Sequence, residues 1–428
     1  MSRSLTRLSC LALEARAVPA AFTLSADSIA VAPEDGGIPR VKIIDPKTGA
    51  DIGEVDVYDS GFRGGVRAAT GDVTGDGVKD LVTAAGPGGG PHIKVYDGKT
   101  GTEIRSFFAY VPEFRNGLSV AVGDVNRDGF ADIITAAGPG GGPNVRVFDG
   151  RTGTLLTSFF AYDSGFTGGL NVGSGDIDGD GYDDIVTGVG SGGGPHVRVL
   201  SGRDFGELRS FYAYAPTVTG GVNVASGDVD GDGRDDLVLG AGKNAGPHVR
   251  ALSGRNGSEL RSFFAADSSF TGGVRVSSFD VSGDGLDDIL PRTRHGSDVA
   301  QFVFDSSTGV MIQSFIRKVD DNPSASDLIE GSGRNSGSNP NSGSGGGGSG
   351  GTTTGVTRVE GTITAVNVGG RTVTFRFGNG STRTVTVAAT ATIERNELHS
   401  SLAAFLVGDF GEARLDASGV AIKVEAVG

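Results

Sequence analysis

The chain has 428 residues, which is enough for two domains and a large core. Glycine is very abundant at 75 residues, tryptophan is absent and the formal net charge is −14, a composition that favours many short strands joined by tight turns and excludes a basic nucleic-acid-binding surface. Cys10 is the only cysteine, which excludes a disulfide framework and a thiolate metal site, and no run of about 18 apolar residues predicts a transmembrane helix.

Residues 1–21 have some features of an export segment. Arg3 and Arg7 precede a short apolar run that ends in small residues, as in a secretory signal, although Glu14 and Arg16 interrupt the apolar core. The run LEARAVPA resembles an N-terminal motif common in secreted planctomycete proteins. We therefore expect an extracellular or cell-surface protein.

Residues 22–330 contain an aspartate-rich loop that recurs five times at an interval of 52 residues. Each copy reads D-x-[D/N/S/T]-x-D-G-x-x-D. Side chains at positions 1, 3, 5 and 9 and the backbone carbonyl at position 7 offer oxygen atoms, and the glycine at position 6 allows a sharp turn. Because calcium prefers about six to eight oxygen ligands at flexible geometry, the spacing predicts a calcium site in each loop, about five ions in all.

The predicted calcium ligands repeat from loop to loop. They are Asp72, Thr74, Asp76, Val78 and Asp80 in the first loop; Asp124, Asn126, Asp128, Phe130 and Asp132 in the second; Asp176, Asp178, Asp180, Tyr182 and Asp184 in the third; Asp228, Asp230, Asp232, Arg234 and Asp236 in the fourth; and Asp280, Ser282, Asp284, Leu286 and Asp288 in the fifth. Position 3 lacks a carboxylate in loops one, two and five, so we expect these loops to bind calcium more weakly. Lys79 beside Asp80 weakens the first loop further.

The loops have two other interpretations. An EF-hand is excluded because the loops have no Glu at position 12, and they run into short apolar stretches such as 81–85 and 185–189, which are typical of buried strands. Ordinary turn chemistry also favours Asp and Gly. Five copies in register, each with Asp at positions 1, 5 and 9, favour calcium over turns alone.

The whole 52-residue unit repeats, and each copy contains four strand-like segments with turn signals such as Asp97-Gly98 and Ser201-Gly202. Units of this length with four strands predict the blades of an all-β propeller. The register predicts six four-stranded blades. The first blade lacks an Asp loop and is expected to be completed by a strand from Ala21 to Ser25. A propeller with a seventh blade is the alternative. Calcium is expected to fix the connection from the outer strands to the next blade.

The remaining sequence divides into a linker and a small domain. Residues 331–354 are rich in Gly and Ser and predict a flexible linker. Residues 355–428 contain short alternating strands that predict a small β-barrel.

The loop followed by an apolar strand resembles the FG-GAP or VCBS repeats of integrin α-subunit propellers and of divergent bacterial surface proteins, over about residues 25–318. The Gly-Ala-Pro element of that family survives only in part, as in Ala85-Gly86-Pro87. The resemblance implies calcium ligands at the five sets given above. It also implies a calcium-stabilised propeller that mediates adhesion or carbohydrate contact, although some members of the family sit in enzymes.

Three further sets of positions recur with the repeat. Each has a functional and a structural interpretation. The recurring histidines could form a metal site or hydrogen-bond to the neighbouring blade, and the recurring cations could form an anion-binding surface or ion pairs. The recurring aromatics could form a sugar-stacking platform or pack in the core. We expect the structural interpretation in each case. The sets are His92, His196 and His248; Lys42, Lys94, Arg146, Arg198 and Arg250; and the aromatics at 107, 108, 159, 160, 211 and 212.

The sequence contains no G-x-S-x-G, no H-E-x-x-H and no phosphate-binding loop. We therefore predict no enzyme and no catalytic residue, but a calcium-binding adhesion or interaction module whose partner is a surface protein or glycan and not a nucleic acid. The alternative is a carbohydrate-active enzyme or lectin that uses the propeller axis.

Overall fold

The structure is a computed structural model that describes residues 22–25, 28–47, 50–295, 298–318, 357–367, 371–376, 382–395, 398–399, 410–415 and 420–427. The chain forms two compact units, Met1–Asp327 and Leu328–Gly428. The regular elements of the described residues are β-strands, which confirms the all-β class, and none of these residues forms a helix suited to spanning a membrane. The predicted export segment and the predicted linker lie outside the described residues.

The strands of the first unit form six antiparallel sheets. The first three sheets contain β1 (Ile29–Val31), β2 (Arg40–Ile44) and β3 (Asp51–Asp56); β4 (Val66–Gly71), β5 (Asp80–Ala85), β6 (His92–Tyr96) and β7 (Glu103–Phe108); and β8 (Leu118–Gly123), β9 (Asp132–Ala137), β10 (Asn144–Phe148) and β11 (Leu155–Phe160). The next two contain β12 (Leu170–Gly175), β13 (Asp184–Val189), β14 (His196–Leu200) and β15 (Glu207–Tyr212); and β16 (Val222–Gly227), β17 (Asp236–Ala241), β18 (His248–Leu252) and β19 (Glu259–Phe264).

The sixth sheet departs from the regular four-stranded pattern. It contains β20 (Ser278–Phe279), β21 (Asp288–Ile289), β22 (Arg292–His295), β23 (Asp298–Phe304) and β24 (Met311–Lys318). Both β21 and β22 pair with β23, so the second strand of this sheet is in two pieces. Pro291 lies between them, and proline cannot donate a ladder hydrogen bond.

The burial pattern explains how the sheets stack. The second strand of each four-stranded sheet is buried at all six residues, the third alternates over its first four residues, and the fourth is exposed at three or four of its six residues. The hydrophobic core lies between neighbouring sheets, since one cluster joins Val82 and Ile93 of the second sheet to Leu118 and Ile133 of the third. The first strands of successive sheets also contact one another. This arrangement confirms six propeller blades, four of them regular meanders.

A tyrosine after the outer strand of each of sheets one to four ties that sheet to the next. The Tyr110 hydroxyl donates to the Thr135 carbonyl at 3.1 Å and to the Asn144 carbonyl at 2.9 Å. Tyr162 and Tyr214 make equivalent bonds in the following sheets. The tyrosine bonds therefore recur with the repeat and hold the first five blades in register with one another.

The first blade has three strands, and the expected closing strand at its N-terminal side is not found. Residues 22–25 form no strand; the Leu24 amide instead donates to the Gly98 carbonyl at 2.7 Å, and the Phe22 side chain is buried against Tyr96. Blades one and six are joined by Glu34, whose carboxylate accepts from Arg275 Nε at 3.1 Å and Arg292 Nη2 at 2.8 Å.

The second unit contains one sheet of six strands. These are β25 (Thr357–Asn367), β26 (Thr372–Arg376), β27 (Thr382–Arg395), β28 (Leu398–His399), β29 (Phe410–Leu415) and β30 (Ala421–Val427). Their order is β26-β25-β29-β30-β27-β28, and β26 also pairs with β27. The small barrel predicted for this region stays a prediction.

Candidate metal centre

The five Asp loops connect the first and second strands of sheets two to six. The expectation that they join the outer strands to the next blade is therefore wrong. The first strands contact their neighbours in the adjacent sheets, so the loops lie at the inner edge of each sheet, where successive loops come close together.

The third loop illustrates how the sequence builds this geometry. Gly179 and Gly181 have φ angles of 75° and 84°, a region that residues with a Cβ rarely adopt. The turn they make points backbone amides inward. Asp176 accepts from the Gly179 amide at 2.7 Å, the Asp180 amide at 3.0 Å and the Gly181 amide at 2.9 Å. The position-1 aspartate thus holds the loop backbone in its curled conformation through hydrogen bonds to protein groups.

The aspartate at position 9 is buried and anchors the loop to the rest of its sheet. Asp184 is 0% exposed. One carboxylate oxygen accepts from the amides of Ile177 at 3.0 Å and Asp178 at 3.2 Å, and the other accepts from the Gly202 amide at 3.1 Å, in the hairpin turn between the third and fourth strands. Its counterparts in the other loops make equivalent bonds to the residue 18 positions later.

Carboxylates converge in the third and fourth loops. Oxygen atoms of Asp176, Asp178 and Asp184 lie within 4.8 Å of one another, and the same holds for Asp228, Asp230 and Asp236. These donors are all oxygen, which fits a hard cation such as calcium. The structure brings positions 1, 3 and 9 together in the two loops that the sequence favoured. The contributions of positions 5 and 7, and of the other three loops, stay predictions.

Burial makes these carboxylates hard to ionise without a cation. Burial, and then neighbouring carboxylates of the same loop, raise the pKa of Asp132 and of Asp184 to about 7 and that of Asp236 to about 6. The pKa values of Asp80 and Asp288 are also raised by burial. A bound divalent ion would supply the positive charge that these sites lack.

Position 8 of the loop has a role that the sequence pattern does not single out. The Asp183 amide donates to the Asp124 carbonyl at 3.0 Å, and the Asp124 amide donates to the Asp183 carboxylate at 2.7 Å. Asp235 and Asp287 donate in the same way to the preceding loops. Burial, and then the charges of Asp183 and Asp287, raise the pKa of Asp235 to about 7. The only signal in the sequence is the Asp-Asp pair that ends loops three to five.

The recurring histidines do not converge on a common site. His92, His196 and His248 each place Nε2 within 2.7–3.0 Å of a serine hydroxyl on the adjacent strand of the same sheet. Burial lowers the pKa of all three. The structural role is as expected, but the hydrogen bond stays within the blade and does not reach the neighbouring blade.

The recurring cations are paired. Lys42, Lys94, Arg198 and Arg250 form ion pairs with the carboxylate of Asp51, Glu103, Glu207 or Glu259 on the fourth-strand side of the same sheet. Arg146, whose sheet lacks that acid, donates to the Ala109 carbonyl at 2.9 Å and lies over the Tyr110 ring. This agrees with ion pairing and not with an anion-binding surface.

The expectation for the aromatics is wrong at half of the positions. Phe107, Phe159 and Phe211 are half-buried against the core, whereas Phe108, Phe160 and Tyr212 are 52%, 57% and 55% exposed. The fourth strand lies at the edge of its sheet, so alternate side chains point to solvent even where the sequence is apolar.

Comparison with known proteins gives the family of the repeats. Residues 72–135 and 176–239 match the FG-GAP-like repeat, and residues 116–155 match the FG-GAP repeat. No curated protein matches this chain.

Several solved structures are similar to this chain, at low sequence identity and low TM-score. They include the exotype rhamnogalacturonan lyase YesX (15% identity, TM-score 0.34, 68% of this chain and 66% of that one), the rhamnogalacturonan lyase YesW (13%, 0.33, 95% and 92%) and the V. cholerae biofilm matrix protein Bap1 (13%, 0.36, 71% and 80%). The family matches and the sheet arrangement agree: the chain contains FG-GAP repeats, and the matched residues lie in sheets two to five of its β-propeller.

Proposed function

We propose that this protein is a secreted or cell-surface module in which calcium holds the blades of the propeller together while the outer surface contacts a surface protein or glycan. The observation that carries the calcium part is the convergence of Asp176, Asp178 and Asp184 within 4.8 Å. Carboxylates at that separation repel one another unless a cation lies between them. An all-oxygen donor set suits calcium.

Calcium has a structural role in this proposal. The carboxylates that would bind it also hold the loop backbone, and each of loops two to five is hydrogen-bonded to the preceding loop. An ion in one loop therefore stabilises its own sheet and the junction with the neighbouring sheet. Weak calcium sites are filled at the calcium concentrations found outside cells, which agrees with export.

The outer strands support a partner that stacks on aromatic rings. Phe108, Phe160, Tyr212 and Phe264 occupy the same position in four consecutive sheets and are 52–57% exposed. Beside Tyr212, a groove of about 410 Å³ also presents the charged groups of Arg198 and Glu207. An exposed ring beside hydrogen-bonding groups suits a sugar, which has an apolar face and hydroxyls at its rim.

Calorimetric calcium titration of the full chain, with melting followed in calcium and in EDTA, tests the calcium part. We expect about five ions and a clear rise in the melting temperature, because a ligand that binds only the folded state stabilises it. Equal melting in both buffers would refute the calcium part. Binding to immobilised polysaccharides and to cell surfaces tests the partner part, which fails if none is retained in calcium.

A further inference from the structure

A cavity of about 370 Å³ lies on the propeller axis, since residues from all six sheets line it. Its cationic lining residues are Arg67, Lys243, Arg275, Arg292 and Arg294. Its acidic lining residues are Glu34 and Asp35. The formal charge of the lining is thus +3, in a chain whose net charge is −14. None of the predicted calcium ligands lines this cavity.

The positive charge arises where the sequence departs from its own repeat. One position of the repeat lines the cavity in sheets two to six. In sheets two to five it is the second residue of the first strand, which is Arg67, Ser119, Asn171 and Asn223 in turn, and in sheet six it is Arg275, which lies three residues before β20. The asparagines serve the fold, since each donates to a carbonyl of the next sheet at 2.7–2.8 Å. The arginines occur in sheets two and six, which flank blade one. Blade one lacks the innermost strand that carries this position in sheets two to five.

Two more arginines replace glycine. Arg292 and Arg294 stand 52 residues after Gly240 and Gly242, at positions where the preceding blade has no side chain. Arg292 is held by Glu34, and Arg294 donates to the Asp35 carbonyl at 2.7 Å. Both therefore help to join blade six to blade one, and both add positive charge at the axis.

The two acids of the cavity neutralise only part of the charge of its five cations. Glu34 is buried and shared between Arg275 and Arg292, and despite the opposing effect of burial these arginines and Arg67 lower its pKa to about 2. Arg67 contacts Asp35 only at 3.6 Å. Among the described residues, no carboxylate pairs with Lys243.

We propose that this axial cavity binds a small ligand through an oxyanion group, a carboxylate, sulfate or phosphate, with Arg67 and Lys243 as the groups that contact it. The Arg67 guanidinium can bind two oxygens of such a group at once, and because it is partly buried it gains more from an anion than a cation in water does. The volume suits a ligand of one or two rings. This site is independent of calcium and of the outer aromatic surface.

The alternative is that the arginines serve only to join blade six to blade one. Substitutions in the cavity distinguish this structural role from anion binding. The full chain in calcium would be titrated with sulfate, inorganic phosphate and glucuronate by calorimetry at low ionic strength. These three probes distinguish an inorganic anion from a sugar acid. We expect at least one to bind, with affinity that falls as salt is raised.

Arg67→Gln should weaken binding about tenfold or more, because a charge-assisted hydrogen bond is lost. Lys243→Gln should weaken it severalfold without affecting folding, since this lysine is exposed. The matched control, Arg203→Gln, alters an exposed arginine in the hairpin turn of the fourth sheet and should leave binding unchanged. Asp35→Asn should strengthen binding, because it removes a negative charge from the cavity.

The outcomes are distinguishable. Binding that weakens in Arg67→Gln and Lys243→Gln but not in Arg203→Gln supports the site. If Arg67→Gln does not fold, Lys243→Gln and Asp35→Asn distinguish the two hypotheses. If the arginines only join blade six to blade one, neither variant should change the affinity for the anion. No binding of any probe, or equal binding in all variants, would overturn the proposal.

Discussion

Asp124 and Asp183 are joined by two reciprocal hydrogen bonds across a blade boundary, with the Asp183 amide on the Asp124 carbonyl at 3.0 Å and the Asp124 amide on the Asp183 carboxylate at 2.7 Å. Asp124 is a predicted ligand of the second loop, and Asp183 precedes Asp184 of the third. The two candidate calcium sites are therefore linked through backbone and side chain. Loosening one loop is expected to loosen its neighbour.

Replacing Asp183 by Ala should lower the melting temperature of the calcium-loaded protein. The change leaves the part-buried Asp124 amide without its carboxylate acceptor; such a loss costs about 1–3 kcal/mol at a buried amide, and the lower end of that range is expected here. Alanine is tolerated at this position of the repeat, where Ala131 keeps the backbone bond to Asp72, so folding should survive. Asp183→Asn, which retains an acceptor oxygen, is the control and should melt closer to the parent. Equal melting of the parent and Asp183→Ala would show that the reciprocal pair contributes nothing.

Asp178→Ser and Asp184→Ala should separate calcium binding from loop anchoring. Serine occupies the position of Asp178 in the fifth loop, so Asp178→Ser should lower the melting temperature in calcium and change it little in EDTA. Asp184→Ala removes the acceptor of three backbone amides and should lower the melting temperature in both buffers. Melting curves of both variants in both buffers test this. A loss of equal size in calcium and in EDTA for Asp178→Ser would contradict a calcium role for that side chain.

Without calcium, stability should fall as pH rises from about 5 to 8. Burial raises the folded-state pKa of Asp132, Asp184 and Asp235 to about 7, above the ordinary value of 3.8 that applies when the chain is unfolded. The folded state therefore holds more protons than the unfolded state between these values, and deprotonation favours unfolding. Melting in EDTA at several pH values measures this.

Saturating calcium should reverse that pH dependence, because the ion binds the deprotonated carboxylates and competes with protons. Calcium affinity should then decrease as pH falls below about 7. A melting temperature in EDTA that rises steadily from pH 5 to 8 would be inconsistent with the raised pKa values.

The repeat made much of the fold predictable. A period of 52 residues, Gly at position 6 and short apolar runs specify local turns and buried strands, and stacking identical units leaves few arrangements other than a propeller. The convergence of positions 1, 3 and 9 in loops three and four follows from the same local pattern.

Features that depend on neighbouring blades were not predictable in this way. The bond between Asp124 and Asp183 joins residues 59 positions apart, and nothing in either loop alone specifies it. The placement of Phe22 and Leu24 beside the second blade likewise depends on chain closure. The axial arginines are visible in the sequence only as departures from the repeat, and their common location requires the ring.

Adjacent aromatics on one outer strand should respond differently to substitution. Phe107 packs against Phe148 of the next sheet, with ring centroids 5.0 Å apart, whereas Phe108 is 52% exposed. Phe107→Ser should lower the melting temperature markedly, because truncating a core aromatic costs about 3–5 kcal/mol when it is fully buried and less when, as here, it is half-buried. Phe108→Ser should change stability by no more than about 0.5 kcal/mol, as is usual at exposed positions, yet weaken retention on any polysaccharide that the parent binds.

Phe159→Ser and Phe160→Ser repeat the comparison one blade later. If Phe108→Ser and Phe160→Ser destabilise the protein as much as their neighbours do, the outer rings belong to the core and the stacking surface does not exist.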